Sequence, residues 1–195
     1  MTAITPLESI HKKGIFGDHH KKNEKDLLQI LEVKDLTIVQ VVQYKKAKIE
    51  LKNIKIDGLE FSTENSIVTA NKETRVLWNA PRIWLIISTK ENIISTIEQN
   101  CNHESFAITD ISHSRAVIQI KGLDAREVLK KGCPLNINKL KKNNCAGTVF
   151  HGINILVDCI DNKPDTFNLF TLRSFGESFY HHITDAALEF GYVGA

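Results

Sequence analysis

The densest grouping of chemically able side chains in this 195-residue chain is Thr109-Asp110-Ile111-Ser112-His113-Ser114-Arg115. A carboxylate, hydroxyls and an imidazole are the types that serve nucleophilic and acid–base chemistry. Adjacency in sequence does not pair them, because neighbours at a strand end point to opposite sides. No G-x-S-x-G elbow accompanies the serines. Asp110 beside three hydroxyls fits two roles, holding a small polar ligand or closing a local turn through nearby N–H groups. The turn is the commoner use of that pattern. The remaining histidines form no constellation. His19-His20 lie in a polar stretch, and His181-His182, adjacent on a predicted helix, point about 100° apart.

Cofactor cradles are absent from the sequence. Glycine is scarce, with 10 residues and none spaced as G-x-G, so Gly-rich phosphate loops are excluded. Cys101, Cys133, Cys145 and Cys159 make no C-x-x-C and fit no zinc spacing, which points to reduced, buried thiols inside a cell. Lys+Arg of 25 against Asp+Glu of 23 leaves +2, too little cationic excess for a dedicated nucleic-acid binder. Lysine dominates the basic side, so the five arginines are noticeable; Arg115, Arg126 and Arg173 suit bidentate contacts. The longest apolar run, 83–87, is too short to span a bilayer, and the start shows no secretory signal. A cytoplasmic protein is expected, with no nucleic-acid or membrane partner.

The elements that would position these residues begin after residue 34. Residues 1–34 are polar and aperiodic and read as an N-terminal arm, with Leu7, Ile15 and Phe16 as apolar anchors for a partner surface. Strands are predicted at 36–44, 74–79, 83–88 and 105–111, with helices at 45–56 and 91–101. Asn79-Ala80-Pro81-Arg82 is a turn. The order then restarts: 115–121 alternates as a half-buried strand, and 124–131 is a helix stopped by Gly132 and Pro134. Strands follow at 143–150, 154–160 and 166–172, then a helix over 174–190 with Ser174 and Glu177 as a capping box. This predicts an α+β protein of two ferredoxin-like βαββαβ-type units with antiparallel sheets. The domain plan is an arm over 1–34 and one compact domain over 35–195, made of pseudo-repeated units at about 35–111 and 114–195.

Several stretches also resemble a known family. Thr109 to Ile118, Gly122 to Leu135, the aromatic hairpin Val76 to Ile86, Thr166 to Phe170, and Arg173-Ser174-Phe175 with Thr184 to Ala187 together resemble the gamma subunit of heterotetrameric sarcosine oxidase. The layout of Asp110, Ser112, Gly122, Asp124, Ala125 and Leu129 is distantly similar to the folate-binding domain of the glycine-cleavage aminomethyltransferase. The resemblance implies a folate-binding-domain-like fold and a non-catalytic subunit supporting assembly of a complex that demethylates sarcosine to glycine. It implies alpha, beta and delta subunits as partners, with FAD, FMN, NAD and tetrahydrofolate on those chains and none here. No catalytic, cofactor-binding or metal-binding residue is carried over. Leu7, Ile15, Phe16, Arg115 and Arg173 are the expected partner contacts. The alternative is a free-standing folate-binding or aminomethyltransferase-like protein using Asp110 for its ligand.

Overall fold

A computed structural model describes residues 5–20 and 22–195. Along the chain the strands are β1 (Gly14–Phe16), β2 (Leu28–Glu32), β3 (Thr37–Gln43), β4 (Lys55–Ile56), β5 (Leu59–Glu60), β6 (Val68–Ala70), β7 (Thr74–Ala80) and β8 (Ile83–Ser88). Helix α1 (Ile93–Asn100) precedes β9 (Phe106–Asp110) and β10 (Arg115–Lys121). Helix α2 (Ala125–Gly132) leads to β11 (Cys145–Phe150), β12 (Ile153–Asn162) and β13 (Asp165–Leu172), and α3 (Gly176–Ala187) to β14 (Tyr192–Gly194). The chain forms two compact units. One joins the segment up to Lys34 to Ser114–Ala195, and the other is Asp35–His113.

The discontinuous unit carries the sheet β1-β14-β2-β10-β13-β12-β11, antiparallel except where β14 lies parallel to β2. Its core follows from strand alternation. Ile118 and Ile120 of β10, Phe167 and Leu169 of β13, and Val157 of β12 share one face, and α2 and α3 lay Val128, Leu129, Phe179 and Ile183 against them. On the opposite face Val117 pairs with Phe170, which pairs with Leu156, and all three are buried, while Gln119 beside them donates to Asn168 Oδ1 at 2.9 Å. The half-buried strand expected at 115–121 is found over those residues, with Ala116, Ile118 and Ile120 buried on one face and Arg115, Gln119 and Lys121 partly exposed on the other. Gly132 ends α2 where a Cβ would come within 2.8 Å of the Phe150 ring, so the close helix–strand approach there requires glycine.

The segment expected to be an arm is built into this unit. Leu28, Ile30 and Glu32 alternate inward, and β2 is paired on both edges. Leu7 is 0% exposed and belongs to the core. Its N–H donates to Glu32 Oε1 at 3.2 Å, and Thr5 Oγ1 donates to the same carboxylate at 2.8 Å. A strand paired on both sides and a fully buried anchor cannot come away as an arm without exposing apolar surface, at about 25 cal/mol per Å2.

The contiguous unit carries the sheet β6-β7-β8-β3-β9 and the hairpin β4-β5, with α1 laying Ile93 and Ile97 on Val39, Val41, Trp84 and Ile86. The helix expected over 45–56 is absent. That stretch is extended, with a short 3-10 turn at Leu51–Asn53 and the small hairpin after it. The hairpin turns at Asp57-Gly58, with φ of 52° and 78°. This is the dipeptide that a two-residue turn with both residues left-handed demands. Its signal was in the sequence and outweighs the partial helical spacing of the isoleucines.

Candidate functional site

At the end of β9, Asp110 Oδ1 accepts the Ser112 N–H at 2.9 Å and the Ser112 hydroxyl. The Ser112 hydroxyl in turn accepts the Ile38 N–H at 2.9 Å. The Ser112 hydroxyl bond, then its N–H bond and the nearby His113, hold the Asp110 carboxyl below its ordinary value. Both partners are thus committed to closing the turn. The serine proton goes to Asp110, which leaves no Ser–His couple of the kind a nucleophile needs. His113 is exposed beside it. The sequence grouping works as a turn.

The other polar clusters also serve the fold. Asp57 accepts from Asn71 Nδ2 at 2.9 Å, Thr74 Oγ1 at 2.8 Å and the Lys90 ammonium. Lys90 first, then Asn71 and Thr74, hold its carboxyl down at about 2. Arg126 pairs with Asp165 at 2.9 Å, lies over the Phe167 ring and donates to the Leu140 carbonyl at 3.1 Å. That arginine, noticed for its rarity, clamps α2 to the chain around it. Burial pushes the Cys101 and Cys133 thiols up to about 12, so neither is a thiolate at neutral pH. His151 and His182 approach with ring centroids 5.1 Å apart, both exposed.

What remains open to partners is surface. Leu7 does not belong to it, being core. Ile15 is 41% exposed on the edge strand β1, and Phe16 stacks on Tyr192 at 5.2 Å. Arg115 is half-buried, with its guanidinium 3.2 Å from Ser114 Oγ, and desolvation draws its pKa down. Arg115 lies opposite Leu172 in the β10–β13 register, and the exposed Arg173 follows Leu172 directly. Leu172 and Phe175 are 44% and 47% exposed. Arginine beside exposed apolar and aromatic side chains is the composition of interface cores.

Sequence reasoning missed Leu172 and Phe175, because it assigned one to a strand and the other to a capped helix. The helix begins instead at Gly176, after a 3-10 turn over Arg173–Phe175, and no side-chain cap bond comes from Ser174. That turn is what leaves Phe175 outside. Among the described residues, no helix is long and apolar enough to cross a membrane.

Residues 52–189 match the family model described as sarcosine oxidase, gamma subunit family. Sarcosine oxidase subunit gamma of Corynebacterium sp. (strain U-96) is 28% identical over 121 residues, 60% of this chain and 58% of that relative. The match thus spans little more than half the relative's length. A chain of the heterotetrameric sarcosine oxidase from Corynebacterium sp. U-96, solved with pyrrole 2-carboxylate, superposes with a TM-score of 0.82 at 20% identity, covering 97% of each chain. The glycine cleavage system aminomethyltransferase T from Bartonella henselae gives 0.64 at 13% identity, over 97% of this chain and 58% of that one. These two establish the α+β fold that the element order predicted.

Proposed function

The chain belongs to the sarcosine oxidase gamma subunit family, and from that premise we propose that it is the non-catalytic gamma subunit of a heterotetrameric sarcosine oxidase. Its partners in this reading are the alpha, beta and delta chains, which carry FAD, FMN, NAD and tetrahydrofolate. The complex demethylates sarcosine to glycine, and this chain supports its assembly in the cytoplasm, where four free cysteines stay reduced. The observation that carries the proposal is the family match over residues 52–189, read with the commitment of Asp110 and Ser112 to their own turn. The partner surface in this reading includes Ile15, Phe16, Arg115 and Arg173, joined by Leu172 and Phe175.

The likeness to aminomethyltransferase T supports a shared architecture, and fold alone does not confer a ligand site. A free-standing folate protein would need Asp110, whose carboxylate already bonds Ser112. Co-expression with the other oxidase chains tests the proposal. An affinity tag on this chain should retain all of them, whereas recovery of this chain alone would refute it. Titration with tetrahydrofolate tests the alternative, for which the proposal expects no binding by the isolated chain.

A further inference from the structure

Strand β11 lies at one edge of its sheet and pairs with β12 on one side only. The β11–β12 hairpin turns through two residues, His151-Gly152, so the Phe150–Ile153 pair that closes it is a hydrogen-bonded one, and the Cys159 N–H, which donates to Asn144 O at 2.9 Å, is in the same phase. In an antiparallel ladder such pairs alternate with outward-facing residues. Ala146, Thr148 and Phe150 therefore bond toward β12, while Gly147 and Val149 point their N–H and C=O groups away from it. No described residue takes up those groups. His151, just beyond the strand, donates its N–H to the Gly132 carbonyl at 3.2 Å, which fixes the hairpin end in place.

Natural edge strands are shielded by charge, proline, bulges or shortness. The other edges here follow that rule. β1 and β6 have three residues each, and β9 ends in Asp110. β11, Cys-Ala-Gly-Thr-Val-Phe, has six residues, no charge and no proline, and runs in unbroken register with β12. Alternation sends Phe150 and Ala146 to the helix-covered core and Gly147 and Val149 to the opposite face. There a Cβ built on Gly147 meets nothing within 4 Å. Glycine inside a strand often marks a place where another chain approaches closely.

We propose that the outward edge of β11 receives an extended segment of another chain of the oxidase complex, which adds a strand to the sheet and seats a bulky apolar side chain over Gly147. Backbone hydrogen bonds at Gly147 and Val149 give the attachment, and the space over Gly147 gives the selectivity. The proposal rests on the assembly reading above and adds a second contact to the surface named there.

Two variants of the full chain, co-expressed with the other subunits and captured by its tag, test it. Val149→Pro deletes an N–H that no intrachain bond uses, a substitution edge strands tolerate. Gly147→Val fills empty space at a position with strand conformation. Both are expected to melt near the wild type and to lower partner capture by about tenfold or more. If both retain wild-type capture, the edge proposal is overturned and the assembly reading stands. Should Val149→Pro lower the melting temperature strongly, Gly147→Val decides by the same criterion. If the wild type captures no partner, the assembly reading fails and takes the edge proposal with it. If sedimentation instead shows the isolated chain as a dimer that both variants dissociate, the edge belongs to a second copy, and the proposal is overturned.

Discussion

Asp35–His113 forms its sheet from one unbroken stretch of chain, with β7 and β8 joined by a tight turn and β3 and β9 at its two ends. The other unit has to bring Leu28–Glu32 alongside β10 and β14, which lie far along the chain. The contiguous unit holds its small hairpin by a polar knot at Asp57; the discontinuous unit holds its early segment by apolar burial at Leu7, Leu28 and Ile30. Closing a long loop costs entropy before any contact forms, and the cost grows slowly with length. Pairing over that distance therefore needs a large apolar return, which a sheet covered by two helices supplies. The same unit presents the surfaces proposed for partners, so its stability and its function are coupled.

The largest effect that separates the two accounts of the N-terminal segment is at Leu7. Leu7→Ala should cost about 2–5 kcal/mol of stability in urea melts, as for other buried leucines. Ile15→Ala, on an exposed edge, should cost less than about 0.5 kcal/mol. Equal, small effects would return the segment to the status of an arm. By the same logic, deleting residues 1–20 should lower the melting temperature, reversing the ranking that a detachable arm implies.

A middle-sized effect is expected in the contiguous unit. Asp57→Ala removes acceptors for Asn71, Thr74 and Lys90 and should cost about 1–2 kcal/mol. The same group predicts a pH dependence. Its folded carboxyl sits at about 2 against an ordinary 3.8, so its contribution is fully present above that ordinary value and is lost as pH falls toward 2. Acid titration of Asp57→Ala should therefore lack part of the wild-type loss between those limits. An unchanged acid profile would show that the knot does not stabilise the unit. The smallest effect is at Asp110→Ala, which loosens one exposed turn and should cost about 1 kcal/mol or less in the same melts. A loss as large as that at Leu7 would mean the turn anchors its unit.

Local pattern carried much of this fold in the sequence. The β10 range, the turns at Pro81-Arg82 and His151-Gly152, and the stop of α2 at Gly132 all follow from residues within a few positions of each other. β1, β2 and β14 were not legible, because each is a strand by virtue of a partner far along the chain. Leu28-Gln29-Ile30-Leu31-Glu32 has a weak alternation that becomes decisive only when β10 and β14 flank it. The candidate surface was half legible. Arg115 and Arg173 drew notice by rarity, but the exposure of Phe175 depends on a 3-10 turn whose residues also suit a helix cap. Leu7 misled because a single leucine in a polar segment carries no period to mark it as core.

The claim that chemistry lies on other chains is tested most directly by sarcosine turnover of the assembled complex carrying Asp110→Ala and His113→Ala in this subunit. Turnover within about twofold of the wild type is expected, since neither side chain would contact reacting atoms. A loss of several orders of magnitude with the complex intact would contradict it and place a catalytic group on this chain.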